Sequence, residues 1–171
     1  MFPKIIWFTG LSGAGKTTLS ENLSKKLKKL KYKVKKIDGD IFRKKKKNIK
    51  KFTKKNVVEN NIQIINYIDE IKNNYQYIVV SVISPLIKTR SKAKKKFGKN
   101  YFEIYVKCSL STLVKRDTKG LYKLANQKKV KNLIGYNSKI TYEKSKYKKI
   151  IINTEKNNAK DCLKIIEKKI L

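Results

Sequence analysis

A chain of 171 residues with 40% apolar and 10% aromatic residues suits one domain around one core, and excludes a disordered tail. The formal charge of +33, from 45 basic against 12 acidic residues, would draw a polyanion or an anionic membrane. Its makeup argues against a specific nucleic-acid partner: the basic residues are Lys apart from Arg43, Arg90 and Arg116, they are spread over the whole chain, and Lys, Asn, Ile and Tyr are all encoded by A/T-rich codons.

The first element, Ile5 to Thr9, reads as a buried strand stopped by Gly10. This apolar stretch is too short for a signal peptide or a membrane span, so a cytoplasmic protein with no membrane partner is expected. A Gly-rich turn follows, then Leu19, Leu23, Leu27 and Leu30 at helical spacing. Lys33 to Ile37 predicts a second strand, ended by Asp38-Gly39-Asp40. Residues 41–53 are very basic and read as loop or short helix, and Val58, Ile62, Ile65 and Ile68 mark a long helix. Tyr77 to Ile83 is the most apolar strand, ended by Ser84-Pro85. A short basic helix over about 87–97, a strand from Tyr101 to Val106 and a short helix from Ser111 to Arg116 come next. Residues 118–146 are polar with weak periodicity, Lys149 to Asn153 is a fifth strand, and Leu163, Ile166 and Ile170 line a last helix.

Strands alternating with helices, several of them apolar on both faces, predict a parallel sheet covered on both sides. The expected fold class is α/β: a single three-layer α/β/α domain over 1–171 with five parallel strands and no linker or repeat. With no His in the chain, His-based catalysis and His metal ligation are excluded. Cys108 and Cys162, in apolar contexts without metal-like spacing, read as reduced core residues. The three Arg mark places where a planar fork donor cannot be exchanged for Lys without loss.

Gly10-Leu11-Ser12-Gly13-Ala14-Gly15-Lys16-Thr17 fits G-x-x-x-x-G-K-[ST], entered by a strand and left by a helix. The Gly residues let backbone amides turn toward phosphate oxygens, and the helix N-terminus adds its positive end. Lys16 is expected to reach the β- and γ-phosphates, and the Thr17 hydroxyl to hold Mg²⁺. Such a loop grips a nucleotide's phosphates without naming the acceptor, and the short chain favours a small-molecule kinase. Asp38 and Asp40 end a strand beside this loop, where ligands bind in open α/β sheets. A carboxylate there can take the proton of an acceptor hydroxyl and hold Mg²⁺ through water, or can simply close an Asx turn.

Several stretches together resemble the adenylylsulfate kinase family, over nearly the whole chain. They are Trp7 to Leu19, Asp38-Gly39-Asp40-Ile41-Phe42-Arg43, Glu59-Asn60, Ile83-Ser84-Pro85 with Arg90, Phe102 to Val106, and Arg116-Asp117-Thr118-Lys119-Gly120-Leu121-Tyr122. The last is the most specific. The resemblance implies a P-loop kinase that moves the γ-phosphate of ATP, with Mg²⁺, onto the 3′-hydroxyl of adenosine 5′-phosphosulfate. The alternatives are a P-loop kinase for another small hydroxyl or nucleotide acceptor, a drifted low-activity copy, and, behind these, a basic nucleic-acid-binding protein that keeps the P-loop scaffold. The resemblance implies that Gly10 to Thr17, Thr18, Arg116 and Thr154 bind ATP, and that Asp38 is the catalytic carboxylate and holds the metal through water. Asp40, Arg43, Phe52, Asn60, Ile83, Ser84, Pro85, Lys119, Gly120 and Leu121 would face the substrate, Phe52 by stacking on adenine. Ser84 would be a phospho-acceptor in some relatives, although direct transfer does not need one. Asp117 would fix the direction of Arg116, and residues 118–146 would form a lid. Val57 and Gln63 stand where the family usually has Arg, both toward the anionic substrate; Leu86 replaces an aromatic residue, and Leu133-Ile134 replaces Phe-Thr. Members are often dimers, so a homodimer is an expectation.

Overall fold

The structure, a computed structural model, describes residues 2–45, 53–145, 147 and 149–171. Five strands, β1 (Lys4–Thr9), β2 (Val34–Asp38), β3 (Tyr77–Ser81), β4 (Tyr101–Lys107) and β5 (Ile150–Asn153), form one parallel sheet in the order β2-β3-β1-β4-β5. The helices are α1 (Lys16–Lys29), α2 (Gly39–Lys45), α3 (Lys54–Ile71), α4 (Ile87–Phe97), α5 (Leu110–Arg116), α6 (Leu121–Asn126) and α7 (Ala159–Ile170).

The central strand explains the three layers. Ile5, Ile6, Trp7 and Phe8 are all fully buried, and side chains alternate faces along a strand. Ile6 and Phe8 join Leu19, Leu23 and Leu27 of α1 and Cys162, Ile166 and Ile170 of α7 on one side of the sheet. Ile5 and Trp7 join Ile64, Ile65 and Ile68 of α3 and Ala93 and Phe97 of α4 on the other. Each such side chain contributes about 1.5–3 kcal/mol of burial. Among the described residues no helix is long and apolar enough to cross a membrane.

The five-stranded parallel sheet agrees with the sequence reading. Of the two alternatives for the run after Asp38 the short helix holds, and the 118–146 stretch is more ordered than its pattern suggests. The run after Asp38 is helical at once, because the Asp38 carboxylate Oδ1 accepts from the Asp40 and Ile41 backbone N–H groups at 2.9 and 3.3 Å and so caps α2. The polar 118–146 stretch contains α6 and sends Tyr122, Ala125, Leu133 and Ile134 into the interior. These four are spaced too widely among Lys and Asn to give a period.

Arg90 shows why Lys did not replace it. Fully buried, it ion-pairs through Nε with the buried Glu103 carboxylate at 3.3 Å. Its other nitrogens donate to the backbone oxygens of Ser84 and Glu143. Its guanidinium also lies 4.8 Å from the Tyr142 ring centre.

Candidate active site

The loop from Gly10 to Gly15 leaves β1 at the carboxyl end of the sheet and turns into α1. Gly10 has φ +149° and packs so tightly on β4 that a Cβ there would lie 2.5 Å from the Val106 carbonyl oxygen. Any side chain would push the loop off its strand. Lys16 is buried, and its Nζ donates to the Leu11 carbonyl at 2.7 Å. Burial, and then the nearby Lys119 charge, press the Lys16 pKa down to about 8 against the opposing pull of Asp40 and Asp38. Thr17 and Thr18 are exposed at the helix start.

Asp38 meets this loop from β2. Its Oδ2 accepts from the Thr17 hydroxyl at 3.1 Å and the Ser81 hydroxyl at 3.0 Å. Ser81 is its register partner on β3. The hydroxyl of Thr17 and the carboxylate of Asp38 are hard oxygen donors side by side. A small divalent ion takes one or two such protein ligands and completes its shell with phosphates and water. The pair therefore fits an ion that arrives with a nucleotide. Among the described residues no cluster of three or more His, Cys, Asp or Glu side chains could hold a metal.

A chain of ion pairs extends from there. Asp40 Oδ1 binds Arg43 at 2.7 Å and Asp40 Oδ2 binds Lys119 at 2.6 Å, 79 residues away. Burial pushes the Asp40 carboxyl upward, but the Lys119 hydrogen bond and the charges of Lys119, Arg43 and Lys16 outweigh it and leave the pKa lowered. Arg43, Asn60 and Ile83 line one small cleft of about 20 Å³ together with Val57, Asn61 and Ile134. A separate cavity of about 670 Å³ opens between the start of α3 (Thr53, Lys54), Leu86, and the 137–143 segment.

On the other flank, Arg116 donates to the Thr154 carbonyl at 2.7 Å and its hydroxyl at 3.3 Å. The Thr154 hydroxyl in turn donates to the Ala14 carbonyl at 3.1 Å. Arg116 is exposed, with its guanidinium held over the end of the loop. Gly120, at φ +64°, precedes α6, and Leu121 is half-buried against the core.

The sequence profile of the adenylylsulphate kinase family matches residues 2–153. This chain belongs to the adenylylsulfate kinase family. It is 35% identical over 160 residues to an adenylyl-sulfate kinase of Clostridium acetobutylicum, covering 93% of this chain and 78% of that one. It is also 32% identical over 169 residues to a cytidine diphosphoramidate kinase of Campylobacter jejuni, covering 98% and 96%. The solved APS kinase of Mycobacterium tuberculosis in complex with AMPPNP and APS shares the fold, with a TM-score of 0.86, 24% sequence identity, and coverage of 97% and 96%. As an adenylylsulfate kinase family member, the chain is an ATP-dependent kinase with a nucleotide-binding P-loop.

Four family-derived expectations are changed by the geometry. Ser84 is fully buried and its hydroxyl pairs with Thr89 at 3.2 Å, so it is not presented as a phospho-acceptor. Pro85 beside it is buried as well, and its carbonyl accepts from Glu143 N–H at 2.9 Å. Asp117 does not hold Arg116; its carboxylate accepts from the Tyr122 and Lys123 N–H groups at 3.0 and 2.9 Å and caps α6. Gln63 does not share the cleft of Val57, but lines a different cavity of about 570 Å³ between β2, α2 and α3, with Phe42 and Tyr67. Phe52 lies outside the described residues.

Three residues of the site were missed by sequence reasoning. Ser81 was hidden at the end of an apolar strand. Tyr122, quoted only as part of a motif, donates its hydroxyl to the Ser12 carbonyl at 3.0 Å and so ties α6 to the P-loop. Asn61 falls on the buried face of α3, among Val57, Ile64 and Ile65, where a period search expects only apolar side chains.

Proposed function

We propose that this chain transfers the γ-phosphate of ATP to the 3′-hydroxyl of adenosine 5′-phosphosulfate, giving 3′-phosphoadenosine 5′-phosphosulfate and ADP. The observation that carries this reading is the Asp38 carboxylate lying 3.1 Å from the Thr17 hydroxyl of the P-loop. A carboxylate in that place meets an acceptor hydroxyl beside the terminal phosphate.

In this reading the backbone amides of Gly10 to Thr17 and the start of α1 hold the phosphates, with Thr18 beside them. Lys16 neutralises charge on the β- and γ-oxygens. Arg116 and Thr154 border the adenine of ATP. Asp38 takes the proton of the 3′-hydroxyl as its oxygen bonds to the γ-phosphorus, while the bond to the β–γ bridging oxygen breaks and ADP departs. Arg43 and Lys119, both held by Asp40, receive the phosphosulfate, with Asn60, Ile83 and Gly120–Leu121 around it. Thr17, and Asp38 through water, would hold Mg²⁺, which supplies charge neutralisation on the phosphates when bound. The 118–146 segment would close over both nucleotides.

A second reading follows from the Campylobacter relative, which matches 98% of this chain. Val57 makes the small cleft less cationic than the adenylylsulfate acceptor would favour, so a different nucleotide acceptor competes. The test is ATP consumption with Mg²⁺, with and without adenosine 5′-phosphosulfate and cytidine diphosphate compounds, followed by mass spectrometry. The 3′-phosphorylated phosphosulfate, lost in Lys16→Ala and Asp38→Ala, is expected. ATP binding with no such product at millimolar acceptor would reject the named acceptor.

A further inference from the structure

The Thr9 hydroxyl is a three-way junction at the root of the P-loop. Thr9 ends β1, is fully buried, and stands directly before Gly10. Its Oγ1 donates to the Ser84 carbonyl at 3.3 Å, accepts from the Ser84 N–H at 3.3 Å, and accepts from the Tyr142 hydroxyl at 3.0 Å. A hydroxyl has one proton to give and two lone pairs to fill, so this one is fully used. With both lone pairs taken by Tyr142 and the Ser84 N–H, the Thr9 proton is left to the Ser84 carbonyl.

Tyr142 is itself held in place by its neighbours. Its ring stacks on Tyr105 at 4.8 Å with 29° between the planes, and the Arg90 guanidinium lies 4.8 Å from its centre. The next residue, Glu143, donates its N–H to the Pro85 carbonyl at 2.9 Å, and its carboxylate accepts from the Ile87 N–H at 2.6 Å. The ring therefore has one place, and its hydroxyl one direction. On the other side of the junction, Ile83 precedes Ser84 and lines the small cleft beside Arg43 and Asn60. One hydroxyl thus joins the root of the loop that grips the donor to the turn that borders the acceptor.

We propose that Tyr142 is a positioning residue for phosphoryl transfer: through the Thr9 hydroxyl it sets the P-loop against the Ile83–Ser84 turn, and with it the distance from donor phosphate to acceptor hydroxyl. The proposal rests on the reading that the acceptor lies on the Ile83 side. An error of about 1 Å in such a distance can cost about a hundredfold in rate, while the grip on each substrate separately is kept. Tyr142 therefore acts on kcat and leaves both KM values nearly alone.

The experiment uses the full chain with ATP, Mg²⁺ and adenosine 5′-phosphosulfate. Tyr142→Phe keeps the ring and removes only the phenolic oxygen. Its kcat should fall about fivefold, with both KM values within about twofold of wild type. In a Thr9→Val background the same change should alter kcat by less than about twofold, because its partner is already gone. In Thr9→Ser, which keeps the hydroxyl, the effect should again be about fivefold. An unchanged kcat in Tyr142→Phe, a loss confined to KM, or an equal loss in Thr9→Val would overturn the proposal. The kcat and KM values of Tyr142→Phe decide alone if Thr9→Val does not fold. Amide exchange in the presence of a non-hydrolysable ATP analogue needs no acceptor: the Ser84 amide should exchange about fivefold faster in Tyr142→Phe. No product from the wild type, together with that faster exchange, would remove the named acceptor and keep the link from Tyr142 to Ser84. No product and unchanged exchange would remove both.

Discussion

Ser81 on β3 donates its hydroxyl to the Asp38 carboxylate at 3.0 Å, and the two are register partners across adjacent strands. The carboxylate that reaches the P-loop is thus aimed from its own sheet neighbour as well as by the cap it forms on α2. Ser81→Ala removes that aim without touching the nucleotide loop. One hydrogen bond is worth about 1 kcal/mol, so kcat should fall about fivefold with ATP KM nearly constant. Steady-state kinetics with varied ATP checks it; a rise in ATP KM with kcat intact would refute it.

Lys16 gives the pH dependence its sign. Its pKa is pressed down to about 8, first by burial and then by Lys119. The protonated form grips phosphate, so kcat/KM for ATP should fall as pH rises through about 8. Lys119→Ala should move this limb to higher pH, since that charge lowers the Lys16 value, and Asp40→Asn should move it to lower pH, since that charge raises it. Both shifts are read from pH profiles of kcat/KM.

Tyr122 ties α6 to the loop through the Ser12 carbonyl at 3.0 Å. Tyr122→Phe keeps the ring against Tyr136 and removes only this tether. ATP affinity should weaken about fivefold, corresponding to about 1 kcal/mol, while the melting temperature moves by only a few degrees. Calorimetric titration with a non-hydrolysable ATP analogue measures the first, and thermal melts the second.

Arg90→Leu should be far more damaging to the fold than to any contact with substrate. It would leave the buried Glu103 carboxylate without its cation, although Tyr147 donates to it at 2.7 Å. Breaking a buried pair costs about 3–5 kcal/mol, a fall of roughly 6–20 °C in Tm for a chain of this size. Arg90→Leu with Glu103→Leu should recover part of that loss, because no lone charge remains.

The strands and the P-loop were legible because apolar runs and a fixed spacing carry them. Lys16, Thr17 and Asp38 could be placed near one another from the strand-ending rule alone. Three-dimensional register could not: nothing in the linear order says that Ser81 faces Asp38. Val57 and Gln63 illustrate a related failure. Six residues along α3 put them about 120° apart at 3.6 residues per turn, so substitutions that look alike in sequence open on to different clefts. The enclosure of Ser84 by Thr89 and by the Arg90 guanidinium on its carbonyl has no signature in the linear order either. α6 escaped because it is fixed by the Asp117 cap on its backbone and by the Tyr122 hydroxyl on the P-loop instead of by a periodic face.

The sheet order β2-β3-β1-β4-β5 inserts β3 between the strand that leads into the P-loop and the strand that ends at Asp38. The donor grip hangs from β1, with Tyr122 and Thr154 bracing it, whereas the small cleft is built from α2, α3 and the end of the β3 connection. Thr17 with Asp38, and Thr9 with Ser84, are among the hydrogen bonds that join the two halves. Such a division lets acceptor preference be rewritten by a few side chains on one helix while the machinery that handles ATP is inherited whole.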